Sequence, residues 1–501
     1  MDTYLVALGL VLSPDVLLVI VLASVFGLVI GAIPGLTATM ATALLVPITF
    51  FMEPVPAVAA IVAASAMAIF AGDIPATLLR IPGTPGSAAY VDDAFALTTQ
   101  GKAELCLGVN LVYSALGGIV GSLVLIFAAP SLAKVVIRFG TFEYFWLAVL
   151  GLTCAVFISS ASTIKGVVSL LLGLLVSTVG ISATSGFPRF TFGNVELMGG
   201  INFVPAMIGM FALVEIIRLL TNRETNTEVA TQRIGNVFRG IVRTFGLYWR
   251  NFLGGSAIGT IIGILPGSGS TLATYVSYAF SQKLSKHPET YGKGELEGIV
   301  ASTSANNSAL SGAWVPALVF GIPGDAITAI AIGVLYIKGM NPGPTIFVND
   351  PQYVYAVLLS FFVANVLMIP LGFAFIKCSR SILRVPTTIL MPTILLLSIV
   401  GAFAINNTIF DIGVMLIAGV VAYFMEENGF PIAPAILGLL LGTLVEESFL
   451  TSMIKADGNL LAFFDRPVAA ALGCLVLALW FVPCLVRGAR LAIAWRGAAT
   501  G

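Results

Sequence analysis

Charge-free runs recur along this chain, at 16–33, 105–133, 144–164, 251–282, 351–376, 385–410 and 467–486. A helix needs about 20 apolar residues to cross a hydrocarbon core ~30 Å thick. Only 10% of the residues are charged and the mean hydropathy is +1.03, whereas a soluble domain carries about a quarter charged residues. The chain reads as an all-α polytopic membrane protein with about twelve spans, if Pro-Gly-broken or re-entrant helices are included.

Several function classes drop out on composition. The 24 basic and 24 acidic residues balance, so no basic face points to nucleic acid. Cys106, Cys154, Cys378, Cys474 and Cys484 are scattered without metal-ligand or redox spacing and read as small packing residues. His287 is the single histidine, which leaves no credible catalytic metal site. The first cation is Arg80, so the N-terminal apolar stretch lacks the basic start of a cleavable leader and is expected to stay as a membrane helix.

Cations set the expected topology. The segment from Arg218 to Arg250, with Arg223, Arg233, Arg239 and Arg243, is the most basic and is expected to be cytoplasmic. Lys377, Arg380 and Arg384 mark a second cytoplasmic loop, and Arg487, Arg490 and Arg496 a cytoplasmic C-terminus. The 218–250 segment also separates two copies of one motif: IGAIPGLTATMAT at 30–42 and IGILPGSGSTLAT at 262–274 match at seven of thirteen positions. A second pair follows in the same order, GDIPATLLRIPGTPGSA at 72–88 and AWVPALVFGIPGDAITA at 313–329. Its Pro-Ala and Ile-Pro-Gly elements keep a seven-residue spacing. Ordered duplication makes an internal repeat, with a first transmembrane repeat over 1–217, a linker over 218–250 and a second repeat with C-terminal spans over 251–501. Lys283, Lys286 and Lys293 follow the second motif, where the first half has FMEPVP and no cation. That asymmetry favours inverted repeats, although Lys134/Arg138 and Lys377/Arg380/Arg384 fall at matching places with the same sign.

Proline inside a membrane segment removes a backbone donor and stops or kinks the helix. The freed backbone survives only where protein buries it or water reaches it, so paired breaks in two halves point to a transporter substrate site. The candidates for it are Pro34, Gly35, Thr37 and Thr39 at the first break, and Pro266, Gly267, Ser268 and Ser270 at the second. The Ile-Pro-Gly regions add Arg80, Pro82, Gly83 and Thr84, and Pro323 and Gly324. Between the second pair lies ASTSANNSALSG, whose adjacent amides Asn306 and Asn307 are costly in a membrane unless satisfied. Thr303, Ser304, Asn306, Ser308 and Asp325 offer hard oxygens to a coupling ion, sodium or a proton, while an amide N–H₂ can donate to a carboxylate. The plainer alternative is that these prolines kink for packing and the serines glue helices together. Arg80 could clamp a carboxylate, snorkel to the interface, or pair with Asp73 or Asp325. Lys338, Glu446 and Glu447 read as interface or loop charges.

Together the two Pro-Gly motifs, IPGTPGSA, HPETYGKGELEGIVASTSANNSA, VPALVFGIPG and KGMNPGP resemble the large membrane subunit of the tripartite tricarboxylate transporter family, from about residue 20 onward. The resemblance implies a secondary transporter of the bacterial inner membrane, without a cofactor and driven by an ion gradient. It implies two partners, a small four-helix membrane subunit and a periplasmic solute-binding protein that delivers the organic acid. Departures stand out: Thr303 where the family has a glutamate before its Asn-Asn pair, Asp92-Asp93 where it has Asp-Gly, and Asp73, Arg80 and Asp325 where it has small or amide residues.

The expected function is therefore ion-gradient-driven uptake of a tricarboxylate, dicarboxylate or related acid; the elevator-like movement attached to it rests on analogy alone. The rivals are a channel or permease for another solute class, and a membrane-embedded transferase. A transferase needs repeated acidic clusters for magnesium, and the adjacent acids here, Asp92-Asp93, Glu426-Glu427 and Glu446-Glu447, have no repeated spacing.

Overall fold

A computed structural model of the chain describes residues 2–33, 36–159, 162–182, 186–221, 235–267, 269–382 and 387–481. Pro34, Gly35, Ser268, residues 222–234 of the basic linker and the C-terminal arginines lie outside the described residues. The fold is an all-α polytopic membrane protein. Six of its helices are long and apolar enough to cross a membrane, and six shorter apolar helices accompany them among the described residues.

The first half runs α1 (Pro14–Ala32), α2 (Ala38–Thr49), α3 (Pro54–Ala71), α4 (Asp73–Leu79), α5 (Val91–Thr99) and α6 (Ala103–Val136). Then come α7 (Thr141–Ser159), α8 (Thr163–Ser177) and α9 (Val214–Thr221). The second half begins with α10 (Ile241–Ile264), α11 (Gly269–Leu284), α12 (Leu296–Phe320), α13 (Ala326–Ile337) and α14 (Pro351–Ile382). α15 (Ile409–Glu427) and α16 (Ile432–Lys455) close the set needed for the site. The segment expected as a linker is thus helical at both ends: α9 carries Arg218, and α10 carries Arg243 and Arg250.

The two halves repeat one contact. α1 ends just before its Pro-Gly break, with Ile33 extended at φ −81°, ψ 119°; α10 ends the same way, with Leu265 at φ −75°, ψ 119°. A Cβ on Gly27 or Gly31 of α1 would collide with the backbone of Ala64 or Ala68 on α3. One on Gly259 or Gly263 of α10 would collide with Ala305 or Ala309 on α12. Glycines four apart share a helix face, so facing small residues let the backbones touch, which is how helices associate where lipid removes the hydrophobic drive.

Every residue of α12 from Gly298 to Val319 is buried. The helix is wrapped by α6, α10, α11 and α13 rather than by lipid, which is why it tolerates so polar a sequence. Ser304 donates to the Val300 carbonyl at 2.8 Å and the Phe252 carbonyl at 3.4 Å, and Ser308 donates to the Ser256 carbonyl at 3.0 Å. Both hydroxyls therefore stitch α12 to α10.

Candidate substrate cavity

The broken segments meet at a cavity of about 360 Å³. Three helices begin at its wall: α2 with Ala38, α11 with Gly269 and α13 with Ala326. A helix N-terminus carries unpaired N–H groups and the positive end of its dipole. Three of them converging make a place for carboxylate oxygens.

Six of the residues singled out in the sequence line this cavity: Thr37, Thr39, Thr84, Ser270, Asn306 and Asp325. Thr37 caps α2, accepting from the Met40 N–H at 3.2 Å. Thr84 and Ser87 form a reciprocal cap, with Thr84 N–H to Ser87 Oγ at 3.2 Å and Ser87 N–H to Thr84 Oγ1 at 3.3 Å. Asp325 and Thr328 build the same box at the start of α13, at 2.9 Å and 2.8 Å. Asn306 sits at the edge, and its Nδ2 is buried without a hydrogen-bond partner.

Other candidates shape the site from behind or stand away from it. Pro82 and Gly83 make the turn before Thr84, where Gly83 N–H donates to the Gly72 carbonyl at 3.1 Å. Pro323 and Gly324 make the turn before Asp325, and the Gly324 carbonyl accepts from Gly269 N–H at 3.2 Å, joining the two breaks of the second half. Pro266 and Gly267 lie against α7, where Gly267 takes φ +79° and borders a small apolar cavity of about 80 Å³ that also touches Asp325. Asn307 points elsewhere than Asn306: its Nδ2 donates to Ser114 Oγ at 2.7 Å and to the Ala66 carbonyl at 3.5 Å. Thr303 donates to Asn110 Oδ1 at 3.3 Å, on the α6 side.

Arg80 is outside the cavity. It closes α4 in the left-handed conformation, φ 59°, and its exposed guanidinium bonds Asp92 Oδ1 at 3.0 and 2.8 Å. Its ion-pair partner is thus Asp92 rather than Asp73 or Asp325.

Three charged residues of the wall were not read as site residues in the sequence: Glu215 and Arg218 on α9, the latter taken as the start of the basic linker, and Glu426 on α15, noted only in a pair of adjacent acids. Arg218 pairs with Glu215 at 3.1 Å and also with Glu426. With Asp325 the wall carries three carboxylates against one guanidinium. Lys338, at the end of α13, donates to the Phe50 and Met52 carbonyls at 2.7 and 2.6 Å, just beyond the C-terminus of α2. Glu446 holds Arg189 through two bonds of 2.8 and 3.0 Å.

Comparison with known proteins gives a consistent answer. Residues 17–437 match the tripartite tricarboxylate transporter TctA family. An uncharacterized 52.8 kDa protein in the TAR-I ttuC′ 3′ region of Agrobacterium vitis is 34% identical over 458 residues, covering 90% of this chain and 91% of the relative. Another, in the TAR-II ttuC′ 3′ region of the same organism, is 33% identical over 226 residues, covering 44% of this chain and 93% of the relative. No solved structure matches the chain. On this match, and with a cavity walled by its own duplicated motifs, the chain belongs to the tripartite tricarboxylate transporter TctA family, as a membrane component of a transporter and not an enzyme.

Proposed function

We propose that this chain is the translocating subunit of a secondary transporter in a bacterial inner membrane, with its C-terminus in the cytoplasm. It takes a tricarboxylate, dicarboxylate or related acid from a periplasmic binding protein and works beside a small membrane subunit. The observation that carries this reading is the convergence of three helix N-termini and the unpartnered Asn306 amide on one cavity. A buried donor without a partner costs about 1–3 kcal/mol, and a substrate carboxylate would satisfy it.

The wall's charge supports coupling to an ion gradient. Three carboxylates and one guanidinium repel a polyanion, so the acid is best accompanied by cations that cancel the excess, as protons or sodium ions. The test is Asn306→Ala in vesicles holding the full tripartite system, with labelled citrate and labelled succinate, an imposed sodium or proton gradient and no ATP. Uptake should fall at least about tenfold, which is the loss of one good hydrogen bond to a charged group, while folded protein stays in the membrane. Unchanged uptake would remove Asn306 from the site; uptake that needs ATP rather than a gradient would overturn the secondary-transport reading.

A further inference from the structure

We propose that Asp73 carries the coupling cation as a proton, and that Tyr90 and Thr303 link it to the substrate cavity. The inference rests on the transport reading above and names the residue that does the coupling.

Asp73 opens α4 and is 1% exposed. Its Oδ1 accepts from the Tyr90 hydroxyl, and Tyr90 is itself 1% exposed. The groups around it are neutral or negative. Thr77 donates to the Asp73 main-chain carbonyl at 2.7 Å, and α6 brings Cys106 and Asn110 against Thr77. One step further out, α5 brings Asp93 near Cys106 and α12 brings Thr303 beside Tyr90. Asp93 is already satisfied by the Gly294 and Glu295 N–H groups at 2.8 and 2.9 Å and by Tyr278 at 2.6 Å. No lysine or arginine forms an ion pair with Asp73 among the described residues, and its side chain caps no helix.

The other buried acids differ. Glu143 has Arg466 and the Gly140 N–H, Glu215 has Arg218, and Asp411 accepts from Asn406. A carboxylate taken out of water with neither cation nor backbone donor costs several kcal/mol, unless a positive charge arrives with it. Membrane carboxylates left in that condition mark ion pathways.

Two routes join Asp73 to the cavity. Its neighbour Gly72 leaves room for Thr84: a Cβ there would stand 2.6 Å from Thr84 Cγ2, and Thr84 lines the wall. On the other side the Thr303 hydroxyl, its proton given to Asn110 Oδ1, stands beside Tyr90, one turn before the cavity residue Asn306 on α12. A proton arriving with the acid adds to the carboxylate and leaves one negative charge fewer to cross; its release on the far side restores the carboxylate. The hydroxyls of Tyr90 and Thr303 position this step.

The experiment uses proteoliposomes with the full tripartite system and labelled citrate. A gradient of one pH unit should support about tenfold accumulation per proton carried. Asp73→Asn should lose that accumulation yet still exchange external label for internal unlabelled citrate, within about threefold of wild type (less than 1 kcal/mol). Retained exchange also shows that the variant folds. Full accumulation by Asp73→Asn, or wild-type accumulation on a sodium gradient alone, would overturn the proposal. Should wild type neither accumulate nor exchange citrate or succinate, the transport reading fails, and infrared difference spectroscopy still decides on Asp73. A protonated-carboxyl band that grows in wild type as the pH is lowered and is missing in Asp73→Asn supports the assignment; its absence from wild type at every pH overturns it.

Discussion

The two Ile-Pro-Gly turns share a backbone and differ in chemistry. In the first, Arg80 closes α4 at φ 59° and Ile81 N–H reaches back to the Pro75 carbonyl at 3.4 Å. In the second, Gly321 closes α12 at φ 70° and Ile322 N–H reaches the Pro316 carbonyl at 3.3 Å. Each turn then delivers a cap to the cavity, neutral in Thr84–Ser87 and anionic in Asp325–Thr328. The repeat therefore preserves shape while letting charge diverge, so one wall can face carboxylates and the other a hydroxyl, an ammonium or a cation.

Breaking that asymmetry should have the largest effect. Thr84→Asp places a second carboxylate where the neutral cap stands; a like charge in a partly desolvated site costs more than about 1.4 kcal/mol, so uptake should fall at least tenfold. The cap itself survives, since Asp and Thr both serve at that position. Initial rates of labelled citrate uptake check it, and an unchanged rate would mean that the first cap does not meet the substrate. The reverse change, Asp325→Thr, makes both caps neutral and should alter the dependence of uptake on the driving cation more than it alters stability.

Next come the shape-keeping glycines. A Cβ on Gly83 would stand 2.6 Å from Gly72 Cα, and one on Gly324 would stand 2.8 Å from Ala313 Cα. Both obstacles are main chain and cannot swing aside. Gly83→Ala and Gly324→Ala should each destabilise the protein by about 1–3 kcal/mol, read as a lower thermal midpoint in detergent. A loss in one turn without the other would show that the two backbones are not equivalent.

The smallest effect sharpens the comparison. Arg80→Gly makes the first turn like the second; relief of the left-handed strain is worth about 1 kcal/mol, against about 0.5 kcal/mol for the exposed pair with Asp92. A slightly raised midpoint with unchanged uptake is expected. Lost uptake would bring Arg80 back into the site.

Much of the cavity was legible because backbone breaks and hydroxyls are written locally: Thr37, Thr39, Thr84, Ser270 and Asp325 all follow a Pro-Gly. The amide pair was only half legible. At 3.6 residues per turn, adjacent side chains diverge by about 100°, so Asn306 and Asn307 could not both face one cavity, and α12 turns only Asn306 to it. Ser304 and Ser308 read as ion ligands but hold α10, because the glycines of α10 bring its carbonyls within reach. The triad of Glu215, Arg218 and Glu426 had no local signature, as 208 positions separate its arginine from the far acid. Arg80 was misplaced for a conformational reason: nothing in the sequence announces a left-handed arginine where the other repeat has glycine.

The grip of Lys338 on the carbonyls of Phe50 and Met52 bears on motion. α2 and α13 come from different halves, yet both start at the cavity and finish at this one ammonium group. They are yoked at their far ends like the two prongs of a tuning fork, with the bound acid between the tips. Whatever displacement carries that acid across must move the prongs together, or first break two charge-assisted bonds at the handle.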